Sequence, residues 1–305
     1  MISRNRFTAG VVLLALLFGA GSAAGAQPTA PAFTTLEGEA FELSPGKPAY
    51  LKFWASWCGT CLQEMPHLQG VYEQYGDDVR VVSINLGVND DVEAMEEVRR
   101  EYGLTMPIAV DASGELAKTY GLMATPYHVL LDADLEVVYR GYQASPELDQ
   151  AIMLLADGRR DALPEVAIAE SGNGADIDVD SEGVTALFFL ATWCDWYLED
   201  SRPAMASNCV AAQHAVNALQ ARWPGVEVIG IASRLWTSDS ELDEYRDKYA
   251  VAHPLVIDTT NAWFIDHEVN RIPTLVMMSD GEVVARVEDF EQRDAVLAEV
   301  ARVVD

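Results

Sequence analysis

The sequence predicts an α/β protein of two tandem domains, each with a central sheet held between two layers of helices. A chain of 305 residues has enough apolar side chains for two hydrophobic cores. Short apolar runs typical of buried strands alternate with segments in which apolar residues follow the helical period. The same landmarks also occur twice, because residues 53–58 (FWASWC) are similar to residues 189–194 (FLATWC).

The elements of the first half can be predicted in chain order. Residues 34–43 alternate and turn at Glu37-Gly38, which indicates a hairpin, and the apolar run from Tyr50 to Trp57 predicts a buried strand. Residues 79–86 are rich in β-branched side chains and predict a second buried strand. Asn89 is predicted to cap a helix of 3.6-residue period. The remaining elements are a strand at 107–111, a helix at 115–120, a hairpin at 129–139 and a helix opened by Pro146.

The centre of the first half is the point where the apolar strand ends at Cys58 and a second cysteine, Cys61, follows. The next apolar residues recur at steps of 3 and 4, as on one buried face of a helix: Met65, Leu68, Tyr72 and Tyr75. Cys58 is therefore expected at a helix N-terminus, where free N–H groups stabilise the thiolate. Cys61 follows by one turn, within reach of a mixed disulfide at Cys58. This spacing predicts a redox dithiol with Cys58 and Cys61 as the catalytic residues.

Two other readings of the cysteine pair are weaker. A structural zinc site usually needs four ligands, and the chain has no second C-x-x-C. A purely structural disulfide across two intervening residues would close a loop too small to stabilise much. The five histidines show no ligand spacing either, so no metal and no cofactor are expected.

The motif W-C-x-x-C at residues 57–61 resembles the active site of the thioredoxin superfamily. The extra helix and strand at about 89–110 resemble the insertion of the TlpA/ResA family of exported thiol-disulfide oxidoreductases. This resemblance implies two thioredoxin-like domains, each with a helix-strand insertion. It also implies that Trp57, Thr125 and Pro126 bind the substrate. Pro126 would be cis, and an extended substrate would pair with the free backbone edge beside it.

Two positions depart from the family pattern. Lys52 stands where thioredoxin carries a buried aspartate, six residues before the first cysteine. It is a candidate for holding the thiolate or shuttling a proton, and the alternative is that its amine reaches water. The dipeptide Gly59-Thr60 between the cysteines lacks the histidine of strongly oxidising relatives, which favours a reductant.

The second half repeats the first with an altered active site. Cys58 aligns with Cys194, 136 residues later, whereas Pro126 aligns with Pro273, 147 residues later. The added residues separate Cys194 from Cys209. We predict a loop over 195–206, a helix from Ser207 and a structural Cys194–Cys209 disulfide. The alternative is a helix that starts just after Pro203, with Cys209 a small buried apolar residue. Phe188 replaces Lys52, which indicates lost or changed chemistry.

The N-terminus predicts an export signal over residues 1–26. Arg4 and Arg6 precede the apolar segment 9–20, and Ala24-Gly25-Ala26 fits the rule for cleavage before Gln27. An uncleaved anchor is the alternative, but the apolar segment is short for a membrane span. The predicted domains are therefore a redox-active one at 27–160 and a degenerate one at 161–305, with an acidic, turn-rich seam near 164–183. The expected location is the periplasm.

The net charge of −28 argues against nucleic acid and anionic membrane surfaces as partners. The function predicted is that of an exported thiol-disulfide oxidoreductase that reduces disulfide-bearing client proteins. The family resemblance implies a membrane thiol that supplies electrons. Two alternatives remain: a client-binding or scaffold module with a dedicated redox partner, and a copper metallochaperone.

Overall fold

The computed structural model describes residues 32–163 and 183–304. The predicted export signal and nearly all of the predicted seam lie outside the described residues. Within the described part, no helix has the length and apolar character needed to cross a membrane.

The sheet of the first domain has seven strands: β1 (Ala32–Thr35), β2 (Ala40–Glu42), β3 (Ala49–Trp54), β4 (Arg80–Asn85), β5 (Ile108–Val110), β6 (Tyr127–Leu131) and β7 (Val137–Gly141). Their order across the sheet is β2-β1-β5-β4-β3-β6-β7. Strand β3 runs parallel to β4 and antiparallel to β6. Every residue of β3 is buried, as expected for an apolar strand inside a sheet. The active-site strand is thus held on both edges.

Within residues 32–163, five α-helices accompany this sheet: α1 (Gly59–Gln63), α2 (Met65–Tyr75), α3 (Val92–Tyr102), α4 (Glu115–Thr119) and α5 (Pro146–Ala156). A short 3-10 helix follows at Arg160–Ala162. Helix α5 begins at a proline, as predicted, and Ser145 caps it. The prediction that Asn89 caps α3 is wrong. Asp91 is the cap, and its side chain accepts a hydrogen bond from the Ala94 amide at 2.8 Å. Asn89 lies in the loop before the helix, where its side chain has another partner.

The part of the second domain that the structure describes, residues 183–304, has five strands and five helices: β8 (Val184–Leu190), β9 (Glu227–Ser233), β10 (Leu255–Asp258), β11 (Thr274–Ser279), β12 (Glu282–Val287), α6 (Cys194–Tyr197), α7 (Pro203–Arg222), α8 (Asp239–Tyr249), α9 (Ala262–Asp266) and α10 (Arg293–Val304). The sheet order is β10-β9-β8-β11-β12. This order repeats β5-β4-β3-β6-β7 of the first sheet, so the prediction of two tandem α/β domains is confirmed.

The region between the two cysteines of the second domain differs from the prediction. Residues 195–206 are not a continuous loop, because α6 starts at Cys194 and α7 starts at Pro203. Proline is favoured in the first turn of a helix, because an N–H there has no acceptor within the helix and its absence costs nothing. The early helix start therefore matches the alternative. Cys209 lies inside α7 and is buried.

One hydrophobic cluster contains residues of both domains. Trp57, Cys58 and Cys61 belong to it together with Trp193 and Leu235 of the second domain. The remaining core of the second domain is a separate cluster between β8, α7 and α10, centred on Phe188 and Phe290. The active-site end of the first domain therefore packs against the second domain.

Candidate active site

The dithiol lies where β3 leads into α1. Cys58 is the N-cap of α1, and its sulfur accepts a hydrogen bond from the Cys61 amide at 3.2 Å. The two cysteines are joined as a disulfide with their Cα atoms 5.2 Å apart. Because the N–H groups of a helix N-terminus carry partial positive charge, they favour a thiolate at Cys58 once the bond is reduced. The structure thus brings Cys58 and Cys61 together in the predicted geometry for thiol chemistry.

The predicted substrate-binding residues lie beside the dithiol. The Thr125–Pro126 peptide bond is cis. The Thr125 hydroxyl lies 3.5 Å from the Cys58 sulfur. The Trp57 indole N–H donates to the Val88 carbonyl at 2.8 Å, which fixes the ring over the site. Their role in substrate binding stays a prediction. Thr125 contacts the sulfur that would react, Trp57 precedes Cys58 in the chain, and Pro126 follows Thr125.

Lys52 is buried behind the dithiol and belongs to a polar cluster. Its amine is 0% exposed and lies 2.8 Å from Glu64 Oε2, so the alternative in which it reaches water is wrong. His128 Nε2 lies 3.1 Å from the same oxygen. The Tyr50 hydroxyl lies 2.7 Å from His128 Nδ1. The other Glu64 oxygen accepts from the Ala144 amide at 2.6 Å. Glu64 is thus the acceptor at the centre of the cluster.

The charges of this cluster follow from burial and hydrogen bonding. Burial lowers the pKa of Lys52 and also that of His128. Burial by itself raises the pKa of Glu64, but the hydrogen bonds from His128 and Lys52 outweigh it and lower that pKa to about 2. A neutral His128 that accepts from Tyr50 and donates to Glu64 satisfies both ring nitrogens. The cluster therefore pairs the Glu64 carboxylate with the Lys52 ammonium. Glu64 follows Cys61 by three residues, so this ion pair lies next to the dithiol in the chain.

Sequence reasoning missed Glu64, His128 and Tyr50. One signal was present, since a lysine on a buried strand needs an acidic partner. Glu64 follows Cys61 by three residues, and its backbone amide donates to the Cys61 carbonyl at 3.2 Å. His128 could not be chosen from the sequence, because its pairing with Lys52 depends on the register of β3 and β6.

The structure also brings Cys194 and Cys209 together, joined with their Cα atoms 6.2 Å apart. That separation lies within the range a disulfide spans. Cys194 opens α6 and Cys209 lies in the second turn of α7, so the bond connects two consecutive helices. The structural role of this pair stays a prediction. Among the described residues, no group of three or more histidine, cysteine, aspartate or glutamate side chains could hold a metal ion.

Comparisons with known proteins agree with the geometry of the first domain. The Redoxin family model matches residues 24–154. The sporulation thiol-disulfide oxidoreductase A of Bacillus subtilis (strain 168) is 34% identical over 147 residues, which are 45% of this chain and 88% of that protein. The thiol-disulfide oxidoreductase ResA of Bacillus thuringiensis subsp. konkukian (strain 97-27) is 34% identical over 122 residues, 38% of this chain and 69% of that protein. The chain belongs to the ResA-like thiol-disulfide oxidoreductases of the thioredoxin superfamily.

Membership among the ResA-like oxidoreductases confirms the resemblance, the fold class and the type of enzyme that the sequence predicts. The crystal structure of StoA from Bacillus subtilis is 30% identical, covers 41% of this chain and 97% of its own, and has a TM-score of 0.37. Neither of the two oxidoreductases above matches more than 45% of this chain.

The dithiol of this oxidoreductase is fully covered. Cys58 and Cys61 are 0% exposed, and Trp57 is 3% exposed. Residues of both domains form this cover, since Thr125 lies against the Cys58 sulfur and the second domain packs on Trp57 and Gly59. The Trp57 ring stacks on Trp193 with the ring centroids 5.0 Å apart. The Gly59 amide donates to the Tyr197 hydroxyl at 3.3 Å. Local sequence patterns do not indicate this cover, because it depends on how the two domains face each other.

Proposed function

We propose that this oxidoreductase is exported and reduces disulfides of client proteins through Cys58 and Cys61. The observation that carries the proposal is the position of Cys58, which caps α1, accepts from the Cys61 amide and lies beside Thr125. A thiolate at this position is stabilised, and a thiolate is a better nucleophile than a thiol. The absence of a histidine between the cysteines supports the reducing direction, since no further positive charge stabilises the reduced form.

The reaction proceeds in two exchange steps. The Cys58 thiolate attacks one sulfur of a client disulfide, forms a mixed disulfide and releases the other client sulfur as a thiolate. Cys61 then loses its proton and attacks the Cys58 sulfur. The client leaves with both sulfurs reduced, and the Cys58–Cys61 disulfide retains the oxidising equivalents. Two electrons pass to the client in each cycle.

The remaining site residues hold the client and move protons in this proposal. An extended client segment pairs with the backbone beside Thr125 and Pro126 and packs on Trp57. Lys52 is proposed as the proton shuttle for Cys61: its ammonium first passes a proton by way of Glu64 to water, and the neutral amine then accepts the Cys61 proton. Burial lowers the pKa of Lys52 and so favours the neutral amine. A Lys52→Met variant is expected to reduce insulin more slowly than the wild type. The difference should be largest below about pH 7, where Cys61 is protonated and must lose its proton before it attacks. A pH profile parallel to that of the wild type would contradict this role.

The location and the domain bounds follow from the same proposal. Cleavage before Gln27 releases a periplasmic protein with domains at 27–160 and 161–305, and a membrane thiol regenerates the dithiol. The intact mass of the protein recovered from the exported fraction checks the cleavage site, and a mass that includes Met1 would contradict it.

A trapping experiment tests the function. In Cys61→Ser the mixed disulfide cannot be resolved, so client proteins stay bound to Cys58 and are identified after non-reducing electrophoresis. The double variant Cys58→Ser/Cys61→Ser is the matched control and should capture none. Equal capture by both variants, or no capture together with no reduction of insulin by the wild type, would refute the proposal.

A further inference from the structure

The two domains meet through equivalent positions. Trp57 and Trp193, which stack on each other, occupy corresponding places in the two active-site motifs. The Trp236 amide donates to the Met123 carbonyl at 2.9 Å. The Asn89 amide donates to the Asn270 carbonyl, also at 2.9 Å. Asn89 corresponds to Trp236 and Met123 to Asn270 in the alignment that pairs the two cis prolines. The contact is therefore an approximate two-fold pairing of one active-site face with the other.

This pairing occupies the backbone that leads into each cis proline. Met123 lies two residues before Thr125, in the segment where an extended client would dock. In the other direction, the Asn89 side chain holds Ile272 by two bonds: its Nδ2 donates to the Ile272 carbonyl at 2.8 Å, and its Oδ1 accepts from the Ile272 amide at 2.7 Å. Each domain thus makes hydrogen bonds on the other that imitate those of an added strand.

The closed pairing is incompatible with disulfide exchange. The attacked disulfide must approach the Cys58 sulfur directly, because exchange passes through a mixed disulfide. Cys58 is 0% exposed, and the aromatic rings of Trp193, Tyr197 and Trp236 pack together on the second-domain side of Trp57. Small movements of one side chain do not open such a cluster, since several rings share the same packed surface.

We propose that the second domain is a lid that occupies the client face of the first domain and must swing away before a client disulfide can reach Cys58. This inference concerns regulation of the dithiol and rests on the proposed function. The second domain acts as an internal substitute for a client. A client that bonds the Met123 segment and packs on Trp57 competes with it and shifts the population to the open state. Disulfides that lack such a segment, insulin among them, react only with the fraction of molecules that is open, so they are reduced more slowly.

One interface residue favours reversible closure. The Arg234 side chain is 6% exposed, and its Nε and Nη2 lie 3.1 Å and 2.6 Å from the Met123 sulfur. A thioether is a weak acceptor. Arg234 Nη1 has no hydrogen-bond partner among the described residues. Arg234 makes no salt bridge within the described residues, and only the carboxylate charge of Asp258 acts on it from a distance. Burying this guanidinium therefore costs free energy, and opening returns the group to water. The aromatic packing therefore stabilises the closed state, and the burial of Arg234 partly offsets this stabilisation.

Alkylation kinetics test the lid on the full-length protein. After reduction, the rate at which iodoacetamide labels Cys58 is followed by peptide mass mapping. Asn89→Ala and Trp236→Ala, which weaken the interface from opposite domains, should each raise this rate about tenfold, equivalent to about 1.4 kcal/mol of lost interdomain contact. Val283→Ala is the control: this β12 residue is 52% exposed, and the rate should equal that of the wild type. Equal rates in the wild type and both interface variants would overturn the lid.

Hydrogen exchange on the wild type covers the case in which a variant fails to fold. The Asn89 and Trp236 amides lie in different domains, but one opening event would expose both. They should therefore exchange at a common rate that is faster than that of the Phe53 amide in β3. Exchange of both as slowly as Phe53, or at two unrelated rates, would overturn the lid. Neither measurement requires turnover, so failure of client trapping would refute the proposed function without affecting this result.

Discussion

The two domains share a sheet order but differ in what lies behind the active-site strand. In the first domain Tyr50, Lys52 and His128 form a polar cluster with Glu64. The corresponding residues of the second domain are Ala186, Phe188 and Leu275, and all three are buried. The correspondence is exact in register, because Lys52 pairs with His128 across β3 and β6 as Phe188 pairs with Leu275 across β8 and β11.

This difference shows that the polar cluster is not required for the fold. A buried ion pair can be replaced by apolar side chains with little or no loss of stability. The second domain shows the result, since its β8 packs Phe188 against Phe290 with ring centroids 6.3 Å apart. The fold therefore tolerates an apolar strand at this place. We infer that the polar cluster is kept in the first domain because it lies next to the dithiol.

The largest expected effect is on activity. Cys58→Ser should lower the rate of insulin reduction by at least about a thousandfold, because the attacking sulfur is gone. Cys194→Ser, at the corresponding position of the second domain, is the control and should keep the rate within about threefold of the wild type. The assay is precipitation of reduced insulin. A comparable loss in Cys194→Ser would show that both domains react and would remove the distinction between them.

The next effect is on the stability of the second domain. The Cys194–Cys209 bond closes a loop with a sequence separation of 15 residues. Replacing both cysteines by serine should lower the free energy of unfolding by about 3 kcal/mol in the chain-entropy model. Urea denaturation under oxidising conditions measures the change. The double variant Cys58→Ser/Cys61→Ser should lose less, because its loop is much shorter. Equal losses would contradict a structural role specific to the second pair.

The half-buried carboxylate of Glu64 should make the free energy of unfolding depend on pH. The pKa of Glu64 is lowered to about 2 in the folded protein, against about 4.3 for an unfolded chain. Its contribution is therefore complete above about pH 5 and is lost as the pH falls through 4 toward 2. After allowance for partial hydration, the loss should be about 2 kcal/mol. Glu64→Gln should flatten the profile of unfolding free energy over this range.

The control for the acid profile is Glu244→Gln, which changes an exposed glutamate on α8 of the second domain. Its profile should follow that of the wild type. If Glu64→Gln also followed the wild type, the cluster around Lys52 would not hold a carboxylate of lowered pKa.

The smallest effect should be equal in the two domains. Asp91 caps α3 and Ser238 caps α8, at corresponding positions of the two copies. Replacing either by alanine should cost about 1 kcal/mol, because one N-terminal amide loses its acceptor. Thermal unfolding of the two variants measures both. A loss in one domain only would indicate that the two insertion helices differ in how tightly they are held.

Local patterns determined the elements and the reacting sulfur. Strand and helix periods reflect which side chains face a core, so the strand near residue 50 and the helical face that starts at Met65 could be predicted without a structure. The strand itself ends at Trp54, three residues before the predicted end at Trp57. The spacing of Cys58 and Cys61 also determines their chemistry, because two intervening residues on a helix keep the sulfurs adjacent. The repeat was visible for the same reason: it is a property of order along the chain.

Tertiary structure decided the partners of individual side chains. The sequence shows that Lys52 is unusual, but only the pairing of β3 with β6 places His128 and Glu64 around it. Asparagine is a common helix cap, yet the Asn89 side chain makes hydrogen bonds with Ile272, because the other domain places a backbone amide and carbonyl at that point. A local pattern specifies which groups need partners. Which distant group satisfies each need depends on how the sheets and domains pack, and this also determines whether Cys58 is open to a client.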